Sequence, residues 1–172
     1  QVFDKIDRMV LTSATLTTEK EFDFIKERIG YKPKEEVVLD SPFDYPNQAL
    51  LYVPDDMPDP TTKIEIYVEK IAARCRELIQ AVGGKTFILF TSYAVLNRVY
   101  DKLEDMGREY PLLRQGELPT GQMIERFKEF PSVIFGTSSF WQGVDIPGDA
   151  LTSVIITKLP FDVPKEPLTE AR

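Results

Sequence analysis

Histidine is absent from the 172 residues, and Cys75 is the only cysteine. Disulfides, a zinc site, an iron–sulfur cluster held within the chain and any histidine-based catalytic triad are therefore excluded, and no metal-ligating set is expected. Chemistry has to come from hydroxyls, carboxylates, lysine, arginine and backbone amides. Positive charge is also scarce: 21 Lys and Arg stand against 28 Asp and Glu, a formal net charge of −7. A duplex-binding module usually presents a basic face, so any contact with nucleic acid must be local. No apolar run approaches the roughly 20 residues needed to span a bilayer. Gln1 to Val10 lacks the basic start and apolar centre of a signal peptide, so no membrane partner and a cytoplasmic location are expected. The chain opens in mid-pattern without Met, which reads as an excised fragment.

At 42% hydrophobic, the chain can bury the core of one α/β domain, and a single domain over 1–172 is expected. Met9-Val10-Leu11 reads as a short strand, followed by a helix with Phe22, Ile25 and Ile29 on one face, capped by Thr17 or Thr18 and stopped by Gly30. Val37-Val38-Leu39 and Ala49 to Val53 read as two more strands, separated by a loop stiffened by Pro42 and Pro46. Thr61 or Thr62 opens the longest helical pattern, from Ile64 through Cys75 to Val82, with Gly83-Gly84 as its stop; Cys75 lies on the apolar face as a packed thiol. Thr86 to Phe90 is apolar without alternation, the mark of a strand covered on both faces. Ser92 then caps a helix running to Gly107. Further strands are expected at Tyr110 to Leu113, Ser132 to Gly136 and Val154 to Thr157, with a helix at about Gln122 to Phe130. Strands alternating with helices imply βαβ units and a parallel sheet. Pro160 to Pro167, leading into a tail over 160–172, reads as a surface segment.

Ligands of such sheets gather beyond the carboxyl ends of the strands. Four segments lie there. Thr12-Ser13-Ala14-Thr15-Leu16 offers hydroxyls to a phosphate or to another domain, or simply ends a strand and caps a helix. Thr91 and Ser92 could hold an anion at a helix start, or serve only as a cap. Arg114-Gln115-Gly116 combines a cation, an amide and a glycine that admits a close backbone, or forms an ordinary turn. The fourth, Gly136-Thr137-Ser138-Ser139-Phe140-Trp141-Gln142-Gly143-Val144-Asp145-Ile146-Pro147-Gly148, carries three hydroxyls, free glycines, an acid and the sole tryptophan. Its hydroxyls and amides suit phosphates, and Asp145 suits a ribose or an arginine. Phe140 and Trp141 could plug the core or stack on bases. Gly83-Gly84-Lys85-Thr86 is not a phosphate-binding Walker A loop, because Ile79 stands where that motif needs glycine and the order is helix, glycines, strand.

Taken together, the segments resemble the later motifs of superfamily 2 helicases of the DinG type, relatives of the XPD-like group. Thr12 to Leu16 resembles motif III, Leu89 to Tyr93 motif IV and Phe135 to Gly148 motif V, and Lys158-Leu159-Pro160-Phe161-Asp162-Val163-Pro164 follows the DinG pattern. Gln142 departs from the more usual glutamate and is given no catalytic role. The resemblance implies a RecA-like three-layer α/β domain with a mainly parallel central sheet flanked by helices, truncated before motif VI. It implies the second motor domain of an ATP-dependent DNA helicase, an ATP hydrolase that translocates on single-stranded DNA and unwinds duplexes in repair or replication. Carried onto this chain, Gly143 and Asp145 face the nucleotide cleft, and Thr12, Ser13 and Thr15 couple nucleotide state to DNA grip. Thr91, Ser92, Arg114, Gln115, Gly116, Thr137 and Ser138 meet the DNA. ATP and Mg²⁺ would be bound mainly by a first RecA-like domain of the same parent chain, and a monomer, nucleoid-associated if bacterial, is expected. Without the Walker lysine or an arginine motif, the fragment alone should not hydrolyse ATP. The alternatives are a nucleic-acid-binding or protein-interaction domain with a RecA-like fold but no motor, or the motor-like part of a DinG-related exonuclease.

Overall fold

The computed structural model describes residues 8–31 and 33–161. Most of the Pro-rich tail and the start of the chain lie outside the described residues. The chain divides into two compact units, Gln1–Val53 and Pro54–Arg172.

In the first unit, helix α1 spans Asp23–Ile29 and helix α2 spans Tyr45–Gln48. Gly30 closes α1 in the left-handed conformation (φ 65°), as the glycine stop requires. The threonine cap does not form, and Phe22 occupies the cap position without a side-chain bond. Thr18 is instead spent on a tight bridge with Glu21, exchanging N–H···O bonds of 3.0 and 2.9 Å. The three strands expected at Met9 to Leu11, Val37 to Leu39 and Ala49 to Val53 are not formed either. Among the described residues these runs have no ladder partner, and Leu50 and Leu51 are 94% and 87% exposed. Strand propensity describes how a residue fits a pleated, half-covered surface, and has no effect until a neighbouring strand supplies one.

The second unit carries the sheet. Helix α3 covers Ile64–Val82, strand β1 Thr86–Leu89, helix α4 Tyr93–Leu103, strand β2 Leu112–Arg114, helix α5 Thr120–Glu129, strand β3 Val133–Gly136 and strand β4 Ser153–Ile156. Helix α3 begins after the expected threonines because the Asp59 carboxylate accepts from both the backbone and the hydroxyl of Thr61, at 2.7 and 2.6 Å, which holds that residue in a turn. It ends at Gly83, left-handed at φ 67°. A Cβ on Gly84 would lie 2.9 Å from the Tyr110 ring and 3.1 Å from the Pro131 backbone, so this glycine serves a close crossing and not a phosphate. Ser92 caps α4 as expected, accepting from the Val95 N–H at 3.4 Å.

The four strands are all parallel in the order β2-β3-β1-β4. β1 and β3 are buried along their whole length, which explains their lack of alternation. Alternate residues feed two cores. On one face Ile88, Phe90, Val133 and Phe135 pack against α3 and α4 through Val68, Ile71, Cys75, Ile79, Leu96 and Val99. On the other, Phe87, Leu89, Leu113 and Ile134 meet Met123 and Phe127 of α5 together with Phe140. This is a three-layer α/β arrangement of the RecA-like kind. Among the described residues, no helix is long and apolar enough to cross a membrane.

Candidate nucleotide and nucleic-acid interface

Because all four strands are parallel, their carboxyl ends share one edge of the sheet, and three of the four candidate segments sit there. Thr91 and Ser92 follow β1, Arg114 ends β2 with Gln115 and Gly116 just beyond it, and Thr137 to Gly148 follow β3. Thr12, Ser13 and Thr15 belong to the first unit, where the Ser13 and Thr15 hydroxyls lie 3.3 Å apart in an exposed turn.

The loop after β3 is built around a single aromatic. Thr137 leaves the strand in extended conformation, residues Ser138–Phe140 make one 3₁₀ turn, and Phe140 drops back into the core at 4% exposure. Its ring meets Phe87 edge-on at 6.0 Å. Gly136 makes this possible: a Cβ there would lie 2.7 Å from Phe140 Cβ and Cγ. Trp141 is half-buried beside it, and its indole N–H donates to the Phe90 carbonyl at 3.2 Å, tying the loop to the end of β1. Phe140 is therefore a core plug, and Trp141 is anchored at its polar edge. Beyond them Gly143 is left-handed (φ 75°) in open space. Asp145 is exposed and, among the described residues, forms no ion pair.

A polar link joins the loops after β2 and β3. The Gln115 backbone N–H donates to the Phe135 carbonyl at 3.0 Å, extending the ladder by one residue. Its side-chain Oε1 accepts from the Thr137 N–H at 2.5 Å and from the Thr137 hydroxyl at 3.0 Å, while Nε2 donates to the Ser139 hydroxyl at 2.8 Å. Since a backbone N–H can only donate, the atom it meets must be the amide oxygen, which fixes the orientation of the Gln115 side chain. Thr137 is thereby turned inward and 4% exposed, whereas Ser138 is exposed.

Arg114 is engaged on two sides. Its guanidinium lies 4.5 Å from the centre of the Tyr100 ring, and Nε and Nη2 both donate to Glu117 Oε1, at 3.0 and 2.6 Å. The Glu117 bond raises the arginine's already high pKa, so the side chain is a permanent cation whose partner is local. At the other end of the edge, a cleft of about 210 Å³ is lined by Thr91, Ser92, Thr157, Lys158, Tyr67 and Pro60, among others. Much of its hydroxyl content is internally used. The Thr157 hydroxyl donates to the Leu89 carbonyl at 3.0 Å, Tyr67 donates to the Thr157 carbonyl, and Ser92 caps its helix. Thr91 and Lys158 are exposed at its rim. Glu117 lies outside the candidate segments, whereas Ser139 and Lys158 lie within the motif segments without a role of their own; each matters through a neighbour that is distant in the chain or reached by a turn.

A parallel α/β sheet with its polar loops gathered on one edge defines the class, and comparison with known proteins gives the family. Residues 75–172 match the helicase C-terminal domain, and the chain belongs to that family. Within it, the chain is of the DinG type. It is 40% identical to the ATP-dependent DNA helicase YoaA of Haemophilus influenzae and 38% identical to YoaA of Escherichia coli strain K12, each over 95% of this chain and 25% of the relative. It is 34% identical to the 3'-5' exonuclease DinG of Bacillus subtilis, over 100% of this chain and 19% of that protein. The chain thus spans a quarter or less of the length of these relatives. Among the described residues, no group of three or more acidic or cysteine side chains is placed to hold a metal ion.

Proposed function

We propose that residues 1–172 form the second motor domain of an ATP-dependent DNA helicase, which couples ATP hydrolysis to translocation on single-stranded DNA and to duplex unwinding in repair or replication. The observation that carries this reading is the loop that presents left-handed Gly143 and exposed Asp145 at the carboxyl edge of a parallel sheet, in a chain whose relatives are named as DNA helicases. ATP and Mg²⁺ are held mainly by a companion motor domain; Gly143 and Asp145 close the cleft from this side, with Asp145 accepting from a ribose hydroxyl or an arginine. Thr12, Ser13 and Thr15 relay nucleotide state. Single-stranded DNA runs over the edge that carries Thr91, Ser92, Arg114, Gly116 and Ser138, whose amides and hydroxyls suit phosphate oxygens. The chain alone does not hydrolyse ATP, because the positioned lysine, metal and arginine that stabilise phosphoryl transfer are not among its motifs.

In a protein that carries this chain together with its first motor domain, Asp145→Ala lowers DNA-stimulated ATP turnover at least tenfold, corresponding to roughly 1.4 kcal/mol of barrier. Unchanged turnover in that variant overturns the assignment. The name of the Bacillus subtilis relative favours a second reading, in which the same motor fold serves an exonuclease whose nuclease site lies on another domain. Nuclease activity of the parent that persists in Asp145→Ala, with no unwinding by wild type, would favour it.

A further inference from the structure

We infer that Gln115 is a positioning residue, which sets the conformation of the loop after β3 and so the placement of Ser138 on the DNA-facing edge; the DNA part of this inference rests on the function proposed above. The geometry is specific to an amide. Gln115 stands one residue beyond β2, and its backbone bond to Phe135 fixes where its side chain starts relative to β3. From there one side chain meets three groups of the neighbouring loop, two on Thr137 and one on Ser139. Thr137 is buried, so its N–H and hydroxyl have no solvent to turn to if the amide oxygen is lost. Between the two tethered residues lies Ser138, exposed, at the start of the 3₁₀ turn that carries Phe140 inward. The Gln115 oxygen holds the turn at its first end, and the Gln115 NH₂ group holds it at Ser139. With its oxygen accepting twice and one of its two amide N–H groups committed to Ser139, Gln115 acts on DNA through the loop.

The residue type separates the two halves of the link. Gln115→Glu keeps the acceptor and loses the donor, whereas Gln115→Leu loses both at similar length. Amide hydrogen exchange of the chain should show the Thr137 N–H protected in wild type and in Gln115→Glu, and exchanging at least tenfold faster in Gln115→Leu. Binding to a fluorescent oligothymidylate at low salt should weaken at least fivefold in Gln115→Leu. Ser139→Ala should weaken it less, and should add nothing in the Gln115→Leu background, since both changes release the same turn. Unchanged Thr137 protection in Gln115→Leu overturns the inference, as does a loss of DNA affinity without faster exchange, which would make Gln115 a direct contact. If Gln115→Leu does not fold, loss of Thr137 protection in Gln115→Glu overturns it equally. Should the wild-type chain fail to bind oligothymidylate, the DNA reading falls, while the exchange rates still decide whether Gln115 positions the loop.

Discussion

The two faces of the sheet are covered in different ways. One is roofed by α3 and α4, regular helices whose apolar stripes interlock over Ile88, Phe90, Val133 and Phe135. Between them run the cross-pairs Arg98–Glu65 and Lys102–Glu69. The other face has one helix, α5, and its remaining cover is the loop after β3, through Phe140, Trp141, Val144, Ile146 and Leu151. Even so the cover is incomplete, because Val154 and Ile156 of the edge strand β4 stay 53% and 48% exposed on that side. The buried residues of the helical face include none of the candidate site residues. On the other face the covering loop is itself a candidate segment, so a change meant to weaken the fold there also disturbs the loop that carries Ser138, Gly143 and Asp145.

The largest test of this difference is Phe140→Ala. Removing a buried phenylalanine costs about 3–5 kcal/mol, and here the loss comes from a loop and not from a helix. Denaturant unfolding should show that loss, with faster amide exchange over residues 137–145. Leu96→Ala on the helical face should be destabilising too, at about 2–5 kcal/mol, while leaving exchange in that loop unchanged under native conditions. Gly136→Ala sharpens the point, because a methyl group 2.7 Å from Phe140 forces the same ring out of place; overpacking of this kind costs about 1–3 kcal/mol. Equal loop exchange in the Phe140 and Leu96 variants would erase the distinction between the faces.

A second test lies within the helical face. Burial pushes the Cys75 thiol up to about 12 from an ordinary value of 9.0. The folded chain thus keeps this proton through a range in which the unfolded chain loses it. Below pH 9 the thiol is protonated in both states and adds no pH dependence. Between about pH 9 and 12 the unfolded state binds fewer protons, so stability falls as pH rises, by up to about 1.4 kcal/mol per pH unit. Unfolding measured from pH 8 to 10.5 should show this fall in wild type and a shallower one in Cys75→Ala. Parallel slopes would mean that the thiol is not sealed by α3 and the sheet.

Most of the second unit was legible in the sequence, for a local reason. The apolar stripe from Ile64 to Val82, the unbroken runs at Thr86 to Phe90 and Ser132 to Gly136, the Ser92 cap and the Gly83-Gly84 stop each describe short-range geometry, and each is realised within a few residues. The runs at Val37 to Leu39 and Ala49 to Val53 carry the same kind of signal but form no strand, since a strand needs a partner that local pattern does not name. The site divides along the same line. That the polar loops follow strand ends could be read from spacing, whereas the link from Gln115 to Thr137 and Ser139 spans 22 and 24 residues and depends on β2 and β3 lying side by side. Phe140 and Trp141 stood open between core and base stacking until Gly136, directly beneath the Phe140 ring, put that ring in the core.

The smallest expected effect is at Trp141, and it separates packing from tethering within the loop-covered face. The indole contributes apolar area to that face, and its N–H bonds the Phe90 carbonyl at the end of β1. Trp141→Phe keeps most of the aromatic area and deletes the donor. A single hydrogen bond of this type contributes about 1 kcal/mol net, so global stability should fall by roughly that amount, well short of the Phe140→Ala loss. Because the bond joins the loop to the segment that starts α4, its removal should raise amide exchange across residues 141–145 more than across 137–139, which Gln115 still holds. A uniform rise over 137–145 would mean that the loop moves as one body and that the Gln115 link and the Trp141 tether do not act separately.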